Sequence, residues 1–187
     1  IANNKEISPY WIQYQSYLKN DDSYTCQTVW GNTNNTAYDV RIIGINHDEL
    51  YNPTVDGPQT AGLTFQFKDL LNETYPMNST DTNTGGWGQS WLRARMNPDD
   101  LPNVDKVITN DVKDDNAIWK QVPEDLQNSI KAVKKKCQPN YKGSTSTIGT
   151  SNDKLFLASY SEFVPSSTWG DDHWTAQEGT QYAYWNG

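Results

Sequence analysis

Long apolar runs are missing from this chain, and sulfur and imidazole are scarce. No stretch stays apolar over the length of a bilayer-spanning helix, so membrane insertion is not expected. Two cysteines, Cys26 and Cys137, and two histidines, His47 and His173, are too few and too badly spaced for a zinc site. The cysteines allow one disulfide or two thiols, and the sequence leaves both open. Basic residues are outnumbered: 15 Lys and Arg against 23 Asp and Glu give a net charge of −8. Nucleic acid would need a basic face, so it is excluded as a partner. No leader segment is recognisable, and a chain opening on Ile1 reads as a mature or excised fragment.

Aliphatic residues are also thin, with a mean hydropathy of −0.85. What replaces them is aromatic: eight Trp and eleven Tyr. A ring buries a large area, so a few rings can carry a core that few aliphatics could. The 187 residues fit one domain, and neither a repeat nor a linker divides them. Abundant Asn, Thr, Ser and Tyr resemble the surface of an extracellular protein.

The stretch from Gly85 to Asn97 is expected to be the keystone: a short helix stacking Trp87 on Trp91 and Leu92 on Met96, stopped at Asn97 by Pro98. Tyr24–Trp30 reads as a strand and Gly31–Thr36 as a hairpin turn. Tyr38–Ile45 reads as a central strand with both faces covered. Leu63–Phe67 alternates as a half-buried strand. Trp11, Tyr14 and Leu18 suggest a helical stripe near the N-terminus. Pro123–Lys136 is expected to be the best helix. Leu126, Ile130 and Val133 form its stripe, acids its first turn and three lysines its last. Tyr141–Asn152 reads as a loop, Lys154–Ala158 as a buried strand, and Ser159–Val164 as the start of a short helix.

Four phrases stand in order: Val40-Arg41-Ile42-Ile43-Gly44-Ile45-Asn46-His47-Asp48; Gly85-Gly86-Trp87 with Leu92-Arg93; Pro123, Leu126, Ile130 and Val133; and Asp153-Lys154-Leu155-Phe156-Leu157 with Ser159 and Glu162. Glu178-Gly179, Gln181-Tyr182 and Tyr184 follow. Together they resemble the bacterial domain family DUF6273, from about Tyr38 to the end. The resemblance implies surface or secreted proteins of Firmicutes. It also implies a single irregular α+β domain of C-type-lectin-like or formylglycine-generating-enzyme-like kind, with short twisted strands and two main helices. Family members continue into a Trp-Trp-Leu-Arg-Ser-Pro type segment and a closing strand, which this chain, ending at Gly187, does not reach.

Catalytic signals are weak. His47 beside Asp48 has the chemistry of a base, but a loop histidine more often satisfies a turn. No Gly-x-Ser-x-Gly motif accompanies it. A deep pocket joining His47 to two acids would be needed to revive an enzyme. Asp171 and Asp172, with His173 beside them and Glu178 nearby, offer hard carboxylate oxygens suited to calcium, against the simpler reading of a solvated loop, so no cofactor is expected. The strongest signal is aromatic. Trp169, Trp174, Tyr182, Tyr184 and Trp185 cluster with Asp171 and Asp172 in a polar C-terminal stretch. Rings stack on sugar C–H faces while acids take hydroxyls. The expected function is therefore a non-catalytic extracellular module that binds a glycan or a host or cell-surface protein. The alternative is a structural, assembly or phage-borne surface domain.

Overall fold

The larger sheet has three antiparallel strands, β1 (Thr25–Trp30), β2 (Thr36–Ile45) and β3 (Leu63–Phe67), in that spatial order. This computed structural model describes residues 25–30, 36–71, 73–83, 85–98, 117–138, 148–165 and 178–186. The stripe at Trp11, Tyr14 and Leu18 lies outside the described residues, as does the Cys26 side chain on which a disulfide would depend. β2 is central, as its two apolar faces predict: Val40, Ile43 and Ile45 are buried. A bulge between Ile42 and Gly44 shifts its register against β3. Alternation in β3 holds only from Leu63 to Phe65, where its sense is the reverse of what hydrophobicity predicts; Gln66 and Phe67 are both half-buried, and Phe67 turns to the core. Thr64 is the buried residue, while Leu63 and Phe65 are exposed. Thr64 turns inward because its hydroxyl serves a buried carboxylate described below.

The keystone stretch is two pieces. A 3-10 turn (Trp87–Gln89) and helix α1 (Trp91–Met96) are broken at Ser90, whose ψ of 148° is extended. Trp87 and Trp91 therefore do not share one helical face. Ser90 caps α1 by accepting from the Arg93 N–H at 3.1 Å. The helix does stop at Asn97. Its buried face is Ser90, Arg93, Ala94 and Asn97, so polar groups, not the tryptophans, lead inward. Asn97 then clamps the neighbouring chain. Its Oδ1 accepts from the Lys154 and Leu155 N–H groups at 2.7 and 3.2 Å, and its amide donates to the Leu155 carbonyl at 2.9 Å. That grip holds Lys154–Ala158 outside any ladder, which corrects the expected strand there.

The expected long helix from Pro123 is also corrected. Helix α2 covers only Glu124–Ser129, and the chain then extends into strand β4 (Val133–Cys137). Val133, Lys135 and Cys137 turn inward in strand alternation. β4 pairs with β5 (Gly149–Asp153), a strand in what reads as loop sequence. Helix α3 (Tyr160–Phe163) follows, started by a capping box between Ser159 and Glu162. The apolar cluster lies where α1 and α2 meet β2. Tyr38, Ile118, Trp119 and Val122 form its centre, with Phe67, Leu92, Met96 and Leu126 packed around it. Tyr38 meets Phe67 edge-on at 5.8 Å. The protein is thus an irregular α+β domain, with short antiparallel strands and three small helices among the described residues.

Candidate functional site

β4 carries three consecutive lysines, and strand alternation sends the middle one inward. On one edge β4 pairs with β5. On the other, Val133 bridges Leu50, and the Lys134 N–H donates to the Glu49 carbonyl at 2.9 Å. Counting on from that bridge sets Asp48 opposite Lys135. The Lys135 ammonium donates to Asp48 Oδ1 at 2.9 Å, to the Tyr182 hydroxyl at 3.0 Å, and to Glu162 Oε1. Asp48 also accepts from the Tyr182 hydroxyl at 2.9 Å and, at Oδ2, from the Thr64 hydroxyl at 2.5 Å. Lys135, Asp48 and Glu162 are all buried, their side chains no more than 6% exposed. Five elements thus converge on one cluster: the turn after β2, then β3, β4, α3 and the C-terminal segment.

Two glycines make the approach possible. A Cβ on Gly44 would lie 2.9 Å from the Tyr182 ring. Gly179 has φ of 148°, and a Cβ there would lie 2.8 Å from Glu162 Cγ.

The charges do not balance: one ammonium faces two carboxylates. Burial pushes the Asp48 carboxyl up, but the Lys135 charge and the hydrogen bonds from Thr64, Lys135 and Tyr182 hold it below its ordinary value. Burial, then the Asp48 and Glu162 carboxylates, push the Tyr182 phenol far above its ordinary range, so it remains a donor. Glu178 stands beside the cluster and accepts from the Gln138 N–H at 2.8 Å. Burial raises its carboxyl, the Gln138 bond partly offsets this, and Glu162 adds to it.

Above the cluster opens a cleft of about 590 Å³. His47, Glu49, Lys134, Lys136, Glu178 and Thr180 are among the groups that line it. The His47 ring packs on Tyr182 at 4.2 Å, and its Nε2 lies 3.5 Å from the Thr180 hydroxyl. A second cavity of about 280 Å³, lined in part by Met77, Trp87, Cys137 and Leu157, reaches the same Lys135 and Glu162. His47, Asp48 and Glu162 present ligand atoms within 4.8 Å of one another, the histidine-and-two-acids grouping that an enzyme or a metal would use. The Lys135 ammonium already occupies the cationic position between those acids, so a metal would first have to displace it.

A second buried ion pair lies across the β4–β5 hairpin. Arg93 Nε donates to Asp153 Oδ1 at 2.6 Å, and its guanidinium also reaches the Asn152 carbonyl at 2.7 Å. The Trp87 indole N–H and the Ser151 hydroxyl complete Asp153 at 2.9 and 2.6 Å.

The aromatic residues singled out in the sequence divide. Tyr182 is fully buried and its hydroxyl is committed to Asp48 and Lys135. It is a supporting group beneath the cleft and not a surface ring, which corrects its expected role. Tyr184 and Trp185 are half-buried on the 3-10 turn Ala183–Trp185. The Arg41 guanidinium lies 5.0 and 5.2 Å from their rings, and Trp185 meets Phe163 edge-on. Trp169, Trp174, Asp171 and Asp172 lie outside the described residues. Lys135, Thr64 and Glu162 were not singled out as site residues. The usable signals were the Ser159-x-x-Glu162 capping pattern and the odd–even split of the lysine run.

No curated protein matches the sequence. No solved structure matches it either. A family model described as "Domain of unknown function (DUF6273)" matches residues 61–187, which starts later than the expected Tyr38. The match takes in β3, α1, α2, α3, β4, β5 and the Glu178–Tyr182 wall, while Asp48 and His47 precede it. The chain belongs to the DUF6273 family.

Proposed function

We propose that this domain is a non-catalytic recognition module, secreted or displayed on a bacterial surface, that holds a glycan or a protein segment in the cleft beside β4. In this reading its irregular α+β fold is of the C-type-lectin-like or formylglycine-generating-enzyme-like kind. The observation that carries the reading is the state of the buried acids. Asp48 and Glu162 are both paired with Lys135, so these acids are turned to an internal partner and not to a bound substrate, while the rim of the cleft stays open. That rim offers hydroxyl, imidazole, carboxylate and ammonium groups together, a donor and acceptor set suited to a polyhydroxylated ligand. Trp174, Asp171 and Asp172, which the sequence assigns to ligand binding by their chemistry, lie outside the described residues. Asp171 and Asp172 carry the hard oxygens that calcium takes.

The test is binding of the chain to glycan and mucin arrays, with calcium and with chelator. Binding to defined glycans that weakens in Lys136→Glu and Trp174→Ala is the expected result. A folded protein that binds none of them, or whose binding ignores both substitutions, contradicts it. A second reading, assembly without a small ligand, is favoured by one feature: among the described residues β3 is an edge strand, with Leu63 and Phe65 exposed. Concentration-dependent self-association lost in Phe65→Lys would support that alternative.

A further inference from the structure

We propose that Lys135 and Asp48 condense to an intramolecular amide, with Glu162 relaying the proton, so that the domain carries a covalent side-chain cross-link. The geometry has three parts. The reacting groups sit opposite one another on adjacent antiparallel segments, with the amine nitrogen 2.9 Å from Asp48 Oδ1. Such cross-strand positions hold side chains within bonding reach without backbone distortion. The relay carboxylate, Glu162, is hydrogen-bonded to the same nitrogen and is fixed from behind: its Oε2 accepts from the Ser159 N–H at 2.8 Å. The surroundings are aromatic. The nitrogen lies 4.1 Å from the centre of the Phe156 ring and 5.4 Å from that of Tyr182. A buried site of this kind excludes bulk water, which would otherwise oppose a condensation, and it raises the effective concentration of the two groups.

The chemistry balances within the cluster. Glu162 takes one proton from the Lys135 ammonium, leaving a neutral amine. The nitrogen lone pair attacks Asp48 Cγ and forms the C–N bond. The Thr64 hydroxyl, donating to Oδ2, stabilises the charge on that oxygen, which remains as the amide carbonyl. Glu162 returns its proton to Oδ1, a second proton passes there from nitrogen, and the C–O bond breaks to release water. Of the three ammonium protons one stays on the amide and two leave in the water. Glu162 ends ionised, as it began. No oxidant or cofactor takes part. The product would join positions 87 residues apart and tie the turn after β2 to the core of the family domain. It would thereby restrict the unfolded chain as a long-loop disulfide does.

The experiment is intact-mass spectrometry of the whole chain under denaturing conditions, followed by proteolysis. The wild type should be lighter than its sequence mass by one water molecule and should yield a branched peptide containing Lys135 and Asp48. Lys135→Arg keeps the charge but presents no amine able to form this amide, and should return to full sequence mass. Glu162→Gln should remain largely uncondensed. A wild type at full sequence mass overturns the proposal. So does a loss of water that persists in Lys135→Arg, which would place the dehydration elsewhere. Condensation at the wild-type rate in Glu162→Gln would overturn the relay.

Discussion

Two buried ion clusters flank the β4–β5 hairpin, and they differ in how their charges are closed. At Arg93 and Asp153 one cation meets one anion. The remaining partners are neutral, namely the Trp87 indole, the Ser151 hydroxyl and the Asn152 carbonyl. At Lys135 one cation meets two anions, and the cluster lies against an open cleft. The first arrangement satisfies its groups and fastens α1 to β5. Until the condensation proposed above, the second holds an excess of negative charge that, among the described residues, the Lys135 ammonium offsets. Burying an ion is tolerable when its partner is well placed and becomes costly when the partner is removed. The comparison therefore assigns fastening to one cluster and reactivity or recognition to the neighbourhood of the other.

Removing a partner from each cluster separates them. Asp153→Ala strands a buried guanidinium that stays charged at any ordinary pH, and should cost about 3–5 kcal/mol in urea unfolding. Lys135→Met, compared with the equally uncondensed Lys135→Arg so that the cross-link drops out of the difference, strands two carboxylates and should cost about 3 kcal/mol at neutral pH, less because those acids can take up protons. Ser159→Ala removes the capping box that orients Glu162, and should lower stability by about 1 kcal/mol. The smallest effect belongs to Glu178. Its folded-state pKa is raised above the ordinary 4.5, so its contribution is fully present below that value and is lost as pH rises through the folded-state pKa. Glu178→Gln, which still accepts from Gln138, should therefore gain under about 1 kcal/mol at neutral pH and nothing in acid. A loss at neutral pH would mean that its charge has a favourable partner.

The polar interior also explains what the sequence did and did not disclose. β1, β2, the stop at Asn97 and the start at Ser159 were legible because they rest on local chemistry: β-branched alternation, a following proline and a capping pattern. β4 was misread because Leu126, Ile130 and Val133 fall at helical spacing and three lysines suit a helix end. The competing alternation of Val133, Lys135 and Cys137 becomes decisive only when Asp48 and Glu162, remote in sequence, receive the middle lysine. β5, Gly-Thr-Ser-Asn-Asp, reads as a turn by composition and is buried because Arg93 and Trp87 occupy its carboxylate. Thr64 is inward and Phe65 outward for the same kind of reason. Where polar side chains supply the contacts between elements, hydrophobic periodicity loses its authority, and the pairing has to be found in three dimensions. The site was legible only in its outline: Asn46-His47-Asp48 and Ser159-x-x-Glu162 stood out as phrases, while Lys135 was hidden in a charge run.

The most direct test of the contrast between the clusters is the unfolding free energy of Lys135→Met, relative to the uncondensed Lys135→Arg, and of Asp153→Ala, relative to wild type, from about pH 8 down to about pH 5. The deficit of Lys135→Met should shrink steadily as the stranded carboxylates take up protons. That of Asp153→Ala should stay flat because an arginine cannot shed its charge. Parallel profiles for the two variants would contradict the assignment of unbalanced negative charge to the Lys135 cluster.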